Sequence, residues 1–343
     1  MKTSLKPFVV VFSILFIVTL VIPTLVVIPF SEKTDGELAE AREQQTNPSE
    51  TQIASESSIE VAVHRSSINA VENVPLEEYI VGVLASEMPA DFELEALKAQ
   101  ALAARTYIVR HMLSGKNIGT PEGATVTDTV NHQVYKNKEE LKKQWGKDYD
   151  KNIKKFTEAV YATQGQIITY DGAPIDALYF STSNGYTENS EDYWQSAYPY
   201  LKSVESTWDL NSKKFHNQVV FKVKEFERRL GISIGSGDTV GTVKERTESN
   251  RIKTVEIGGK EFSGKDVRTA LDLKSTDFKF VRKGDEIVIT TKGYGHGVGM
   301  SQYGANGMAQ SGSDYKKILT YYYQGIDISS SDTFLTQITA SRE

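Results

Sequence analysis

Residues 74–114 constrain the fold most, because they carry two helical apolar patterns with charged residues at core positions. Pro75 suits the first turn of a helix, and Pro89 disfavours helical backbone at the residue before it, which ends the first pattern. The apolar stripe of this first helix comprises Leu76, Ile80 and Val83. At about 100° per residue, Glu87 falls on the same stripe. The pattern therefore predicts a carboxyl that points where a core residue is expected.

The second pattern predicts a longer helix that starts near Asp91, a suitable N-cap, and stops at Gly115. Its apolar stripe comprises Leu94, Ala101, Ile108 and Met112. Lys98 and Arg105 lie within about 40° of that stripe. Since buried charges are costly unless they are paired, we expect a helical hairpin in which Glu87 faces Lys98 or Arg105. A structural ion pair between two helices is the competing interpretation of the same pattern.

Composition excludes several classes of function. The 343 residues carry a net charge of −6, without a basic face interleaved with aromatic residues, which argues against a nucleic-acid partner. The chain has no cysteine, so it has no disulfide, thiol nucleophile or cysteine zinc site.

The N-terminus predicts a membrane anchor. Residues 8–30 carry no charge and are long enough to cross a bilayer, and the lysines that precede them place residues 1–7 in the cytoplasm. The run is long for a signal peptide, so a retained single-pass anchor is favoured over a cleaved one. Residues 31–56 are polar and mostly acidic, which is typical of a flexible tether. Residues 57–343 then form the extracytoplasmic domain.

The rest of the chain predicts an α+β fold. Alternating apolar residues at 59–63 indicate a strand, and Asp171-Gly172 between two β-rich runs indicates a hairpin. Further patterns predict helices at 221–230, 267–273 and 315–324 and strands at 252–257 and 286–291. We expect the helical hairpin to pack on a mostly antiparallel sheet, in a two-lobed domain with a central cleft.

A glycine-rich segment, KGYGHGVGMSQYGANGMAQSG at 292–312, suggests close approach of the backbone to a ligand, with a helix starting at Ser301. It matches neither the P-loop nor the GxGxxG pattern, which argues against nucleotide binding. A lone histidine such as His296 is more often structural than a ligand. The other histidines show no metal spacing with it.

Four segments together resemble the stage II sporulation protein D family of endospore-forming bacteria. They are YIVGVLASEMP, EALKAQALAARTY, STSNGYTE and GYGHGVGMSQYGANGMA, and the resemblance covers residues 57–325. It implies a lytic transglycosylase that cleaves the bond between N-acetylmuramic acid and N-acetylglucosamine in peptide-stripped glycan strands during engulfment, leaving 1,6-anhydro ends. Related domains occur in a modifier protein of a wall amidase, so the domain alone does not establish catalysis.

The resemblance implies that Glu87 is the catalytic acid. The implied substrate-binding residues are Lys98, Arg105, Ser181, Tyr200, His296 and Tyr303. Certain family members carry a zinc site of cysteines and histidines near residues 127–135, where this chain retains only His132. We therefore expect no metal and no cofactor.

The resemblance also implies partners: peptidoglycan, a sporulation amidase that strips stem peptides, and a multi-pass membrane protein that localises both. The implied location is the cell membrane, with the domain in the intermembrane space of the sporangium. Two alternatives remain open. One is a muramidase-type hydrolase that uses Glu87 with water, and the other is a wall-binding module, not an enzyme, that stimulates an amidase.

Overall fold

A computed structural model describes residues 59–115, 119–194 and 196–341 of the chain. The predicted cytoplasmic segment, anchor and tether lie outside these described residues. No helix in the described ranges is long and apolar enough to cross a membrane.

The chain alternates short strands with helices. The α-helices are α1 (Leu76–Glu87), α2 (Leu94–Ser114), α3 (Lys138–Trp145), α4 (Tyr149–Tyr161), α5 (Ser190–Trp194), α6 (Val223–Leu230), α7 (Gly264–Ala270), α8 (Gln302–Gln310), α9 (Tyr315–Tyr322) and α10 (Asp332–Ala340). The strands are β1 (Glu60–Arg65), β2 (Ala70–Pro75), β3 (Val126–Thr127), β4 (Gln166–Tyr170), β5 (Ala173–Pro174), β6 (Tyr179–Phe180), β7 (His216–Lys222), β8 (Gly241–Arg246), β9 (Ile252–Ile257), β10 (Lys260–Ser263), β11 (Asp277–Lys283), β12 (Glu286–Lys292), β13 (Met300–Ser301) and β14 (Asp327–Ser330).

The strands form small sheets with the orders β2-β1-β3, β14-β4-β5, β13-β6, β10-β9-β8 and β11-β12-β7. Within them, only the short β1–β3 and β6–β13 pairs are parallel. The predicted α+β class with mostly antiparallel pairing is therefore confirmed.

Helix α2 lies at the centre of the larger hydrophobic core. Its sequence is rich in alanine, and Ala96, Ala99, Ala101, Ala103 and Ala104 are all fully buried. Small side chains let neighbouring elements approach the helix closely, and α1, α4, α8, α9 and β4 all pack against it. The predicted hairpin of α1 and α2 is confirmed, but α2 is buried on nearly every side, whereas the pattern predicted one buried stripe.

Helix and strand boundaries differ from the prediction where local turns or strand pairing override propensity. Helix α2 begins at Leu94 and not near Asp91, because residues 89–92 form a tight turn in which the Phe92 amide donates to the Pro89 carbonyl at 3.2 Å. The helix predicted at 221–230 begins at Val223, since residues 216–222 pair with β12 along their whole length.

A smaller hydrophobic core forms a second lobe from β7, α6, β8–β10, α7, β11 and β12. Both ends of this segment return to the first lobe. The Gly293 amide, directly after β12, donates to the carbonyl of Phe215, directly before β7, at 2.7 Å. The chain thus enters and leaves the second lobe at one place, and the candidate site lies beside it.

Candidate functional site

Glu87 is the last residue of α1, and its position follows from the apolar stripe that precedes it. Leu76, Ile80 and Val83 are buried as predicted, which turns the Glu87 side chain toward the protein at the end of the same stripe. Pro89 ends the helix, and Met88 takes an extended conformation. The carboxyl is half-buried, and its Oε1 accepts a hydrogen bond from the Val134 amide at 3.4 Å.

Burial raises the pKa of the Glu87 carboxyl above its ordinary value. The Val134 amide, the Gln302 side chain and the charge of Lys214 each lower the pKa, but burial has the larger effect. The position at the C-terminal end of α1 also favours the neutral acid, because this end of the helix dipole is negative and the last turn has no basic residue. Burial at this position therefore favours the protonated form of the Glu87 carboxyl.

A buried polar network supports the loop that contacts Glu87. Gln133, directly before Val134, accepts from the Tyr79 hydroxyl at 3.2 Å and donates to the Tyr179 hydroxyl at 3.3 Å. Burial holds the pKa values of Tyr79 and Tyr179 well above their ordinary range, so both phenols stay protonated. Sequence reasoning missed these residues because nothing in their spacing indicates that they meet.

The glycine-rich segment brings Gln302 and Tyr303 to Glu87. Ser301 caps α8 as predicted, since its hydroxyl accepts from the Gly304 amide at 3.2 Å. Gln302 is buried next to Glu87, and its Nε2 makes no hydrogen bond of ordinary geometry. The Tyr303 amide donates to the Ser181 carbonyl at 3.0 Å, and the buried Ser181 hydroxyl has no hydrogen-bond partner. Among the predicted residues, Tyr303 directly follows Gln302 in the chain, and Ser181 is joined to Tyr303 by this backbone hydrogen bond.

Two lysines and a tyrosine that the sequence did not indicate complete the site. The Lys214 ammonium lies 5.4 Å from the Tyr294 ring centroid and 5.8 Å from that of Tyr303. Lys274 lies on the same Tyr294 ring at 5.7 Å. Lys214 precedes the second lobe, and Lys274 lies within it between α7 and β11, so only the tertiary fold brings both to the Tyr294 ring.

The predicted pairing of Glu87 with Lys98 or Arg105 is wrong. Lys98 donates to Glu95 at 2.7 Å, one turn away on α2. Arg105 is fully buried and forms a bidentate pair with Glu77, with Nε–Oε1 at 2.9 Å and Nη2–Oε2 at 2.7 Å. A guanidinium with no exposed surface does not reach a bound glycan. Arg105 is therefore a structural residue, as the competing interpretation of a helix–helix ion pair predicted.

Tyr200 and His296 make hydrogen bonds and ring contacts within the protein. The Tyr200 hydroxyl accepts from the Asp176 amide at 3.1 Å, and its ring lies against two other tyrosines. Burial and nearby arginine charges lower the pKa of His296 to about 3, so the imidazole is neutral. Its Nδ1 accepts from the Val298 amide at 3.1 Å, and its ring packs among Phe180, Tyr193 and Trp194. The structure therefore supports a packing role for both residues.

The glycines at 293–299 closely approach other atoms of the protein, where the sequence suggested approach to a ligand. A Cβ on Gly295 would lie 2.7 Å from the Cβ of Phe180, and one on Gly299 would collide with the Leu178 carbonyl. Both glycines have positive φ, at 124° and 81°. Their role is to bring the loop against strand β6 and so align Gln302 with Glu87.

The structure indicates no metal cluster: the described residues contain no group of three histidine, cysteine, aspartate or glutamate side chains that could hold an ion. His132 instead contacts the Thr127 hydroxyl through Nδ1 at 2.9 Å and the ring of His111 at 5.4 Å. The expected absence of zinc remains a prediction.

Comparison with known proteins places this site in a sequence family. The stage II sporulation protein (SpoIID) family model matches residues 64–170, which include Glu87. The stage II sporulation protein D of Bacillus amyloliquefaciens is 49% identical over 98% of this chain and the whole of the relative, and that of Bacillus subtilis is 48% identical with the same coverage. The amidase enhancer of Bacillus subtilis is 31% identical over 73% of this chain and 40% of the enhancer. The chain therefore belongs to the stage II sporulation protein D family.

Proposed function

We propose that this protein is a lytic transglycosylase of peptidoglycan that acts during sporulation, with Glu87 as its single catalytic acid and base. The observation that carries the proposal is the half-buried Glu87 carboxyl with a raised pKa, at the point where the second lobe joins the first. No second carboxylate of the described residues is among the groups that shift its pKa. Glycosidases that use water or an enzyme nucleophile generally need two carboxylates, whereas an intramolecular attack needs one.

In the proposed reaction, Glu87 donates its proton to the oxygen that links the anomeric carbon of N-acetylmuramic acid to N-acetylglucosamine. The bond between that carbon and the bridging oxygen breaks, and the muramyl 6-hydroxyl oxygen forms a new bond to the carbon. The Glu87 carboxylate takes the hydroxyl proton and returns to its starting state. A carboxyl with a raised pKa serves both steps, because it can both donate and accept a proton.

The surrounding groups have supporting roles in this scheme. The Val134 amide orients the carboxyl, and the network of Gln133 with two phenols holds the Val134 segment in place. The half-buried rings of Tyr294 and Tyr303 provide flat apolar faces on which a sugar ring can lie.

The relatives support the setting of the reaction. The family membership places the protein in sporulation, and the related amidase enhancer supports a role at the cell wall. We propose that residues 8–30 anchor the chain in the cell membrane, with residues 1–7 in the cytoplasm and residues 57–343 facing the wall. A sporulation amidase that strips stem peptides and a multi-pass membrane protein are the proposed partners.

The proposal is tested by incubating the purified full-length protein with glycan strands, with and without stem peptides, and analysing the products by mass spectrometry. We expect ends lighter by one water and a fall in rate of about a thousandfold in Glu87→Gln, the order typical of a lost general acid. Glu191→Gln is the matched control, because Glu191 lies on α5, pairs with Lys202 and takes no part in the site. Reducing ends from the wild type would instead identify a hydrolase.

A second candidate function follows from the similarity to the amidase enhancer. If the protein only stimulates an amidase, neither glycan is cleaved, and the Glu87→Gln variant stimulates the amidase as well as the wild type does. Measuring peptide release by the amidase with each protein distinguishes this function from catalysis.

A further inference from the structure

Resting on the proposed function, we infer that Lys214 and Lys274 bind the free lactyl carboxylate of a peptide-stripped muramyl residue and thereby select stripped glycan. In intact peptidoglycan this carboxylate is bonded in an amide to the stem peptide, and it becomes an anion only when the peptide is removed. A pair of cations at the site can therefore distinguish the two forms of the same strand.

The two lysines are held on one aromatic ring by the backbone around them. Their ammonium groups lie 5.4 and 5.7 Å from the Tyr294 ring centroid. Tyr294 is fixed by two backbone hydrogen bonds with Thr182, at 2.7 and 3.0 Å. The Lys274 carbonyl accepts from the Gly295 amide at 2.8 Å, and the Lys214 carbonyl accepts from the side chain of Asn217 at 2.8 Å. The positions of both lysines thus follow from the ordered segments beside Tyr294.

The charges of the two lysines are available to a ligand. In the described part of the chain, Lys214 takes part in no salt bridge, and Lys274 has one loose contact with the exposed Asp272 at 3.6 Å. An ammonium group on an aromatic face keeps N–H donors that can form charge-assisted hydrogen bonds with a carboxylate.

The position of the pair relative to Glu87 identifies which sugar carries the anion. The Lys214 ammonium lies 5.8 Å from the ring centroid of Tyr303, which directly follows Gln302, and its charge acts on the Glu87 carboxyl. The lactyl group and the anomeric carbon belong to the same muramyl ring. A lactyl carboxylate on Lys214 therefore places the anomeric carbon of that ring at the acid, which is the arrangement that cleavage requires.

The experiment compares peptide-stripped glycan that has free lactyl carboxylates with the same glycan after its carboxylates are converted to methylamides. The full-length wild type is measured beside Lys214→Met, Lys274→Met and the double variant. Lys213→Met is the matched control, because it removes the same charge from an exposed neighbouring residue. In the described structure, Lys213 contacts no aromatic ring. Two quantities are measured for each protein with each of the two glycans. They are kcat/KM for cleavage, and Kd by calorimetry in a Glu87→Gln background.

We expect the wild type and Lys213→Met to prefer the free carboxylate by about tenfold, the order for a charge-assisted contact at a half-exposed site. Each single variant should reduce this preference, and the double variant should bring the ratio close to one. A wild-type ratio near one, or a double variant that keeps the preference, would overturn the inference. If no glycan is cleaved, the proposed transglycosylase fails, and the ratio of Kd values still decides the lysine inference by itself.

Discussion

Removal of the Arg105 guanidinium tests the structural assignment that replaced the predicted binding role. Arg105 donates to both oxygens of Glu77 and to the carbonyls of Val160, Thr163 and Gln166, which joins α1, α2, α4 and β4. In Arg105→Met, the Glu77 carboxylate loses its cation while its side chain stays only 9% exposed. Methionine retains most of the apolar stem, so the change removes mainly the charge and the hydrogen bonds.

Breaking a buried ion pair by removing one partner costs about 3–5 kcal/mol, because it leaves an uncompensated charge. For a domain of this size, that loss corresponds to a fall in Tm of roughly 6–10 °C. Replacing both partners by apolar residues removes the uncompensated charge, so Glu77→Leu/Arg105→Met should recover about half or more of the lost free energy.

The free energies of unfolding of the wild type, both single variants and the double variant are measured by urea denaturation. Lys98→Met provides the comparison, since its pair with Glu95 is partly exposed and should contribute less than about 1 kcal/mol. A loss below about 1 kcal/mol in Arg105→Met would refute the argument from burial. A double variant less stable than Arg105→Met would refute it as well.

Three further outcomes follow from the site. Because the pKa of Glu87 is raised in the folded protein, the wild type loses stability as pH rises from the unfolded-state pKa through the folded-state pKa. In urea denaturation, the free energy of unfolding of Glu87→Gln should match that of the wild type near pH 4 and exceed it at pH 8. A difference that stays constant with pH would contradict this. The His296 imidazole should remain neutral in an NMR titration until pH approaches about 3, whereas a transition near its ordinary pKa would contradict the burial described here. Gly299→Ala should destabilise the protein more than Gly312→Ala. Both glycines have similar positive φ, but only Gly299 faces a backbone atom, the carbonyl oxygen of Leu178. Equal decreases in Tm for the two variants would contradict this.

The prediction of the fold succeeded where local pattern is sufficient. The stripe ending at Glu87, the alanine-rich helix, the hairpin at Asp171 and the cap at Ser301 are all present, since each depends on residues within a few positions of one another. Asp171 and Gly172 have the positive φ values that a tight hairpin requires, at 49° and 74°.

The partners of the charged residues could not be predicted in this way. Periodicity placed Glu87, Lys98 and Arg105 on the facing sides of a hairpin, but it did not indicate that Glu77 lies closer to Arg105. Helix α2 is buried on nearly all sides, so a helical wheel alone could not show which of its neighbours faces each cation. The identity of an ion pair depends on the docking of several elements, which no local pattern contains.

By itself, the amino-acid sequence determined the class of the fold, the half-buried position of Glu87 and the family of the chain, because short-range periodicity and contiguous motifs carry this information. Only the tertiary structure decided which groups surround the carboxyl. Val134, Gln302, Lys214 and Tyr294 come from separate parts of the chain, and they meet where the second lobe joins the first. Long-range packing creates that neighbourhood, and with it the raised pKa on which the proposed chemistry depends.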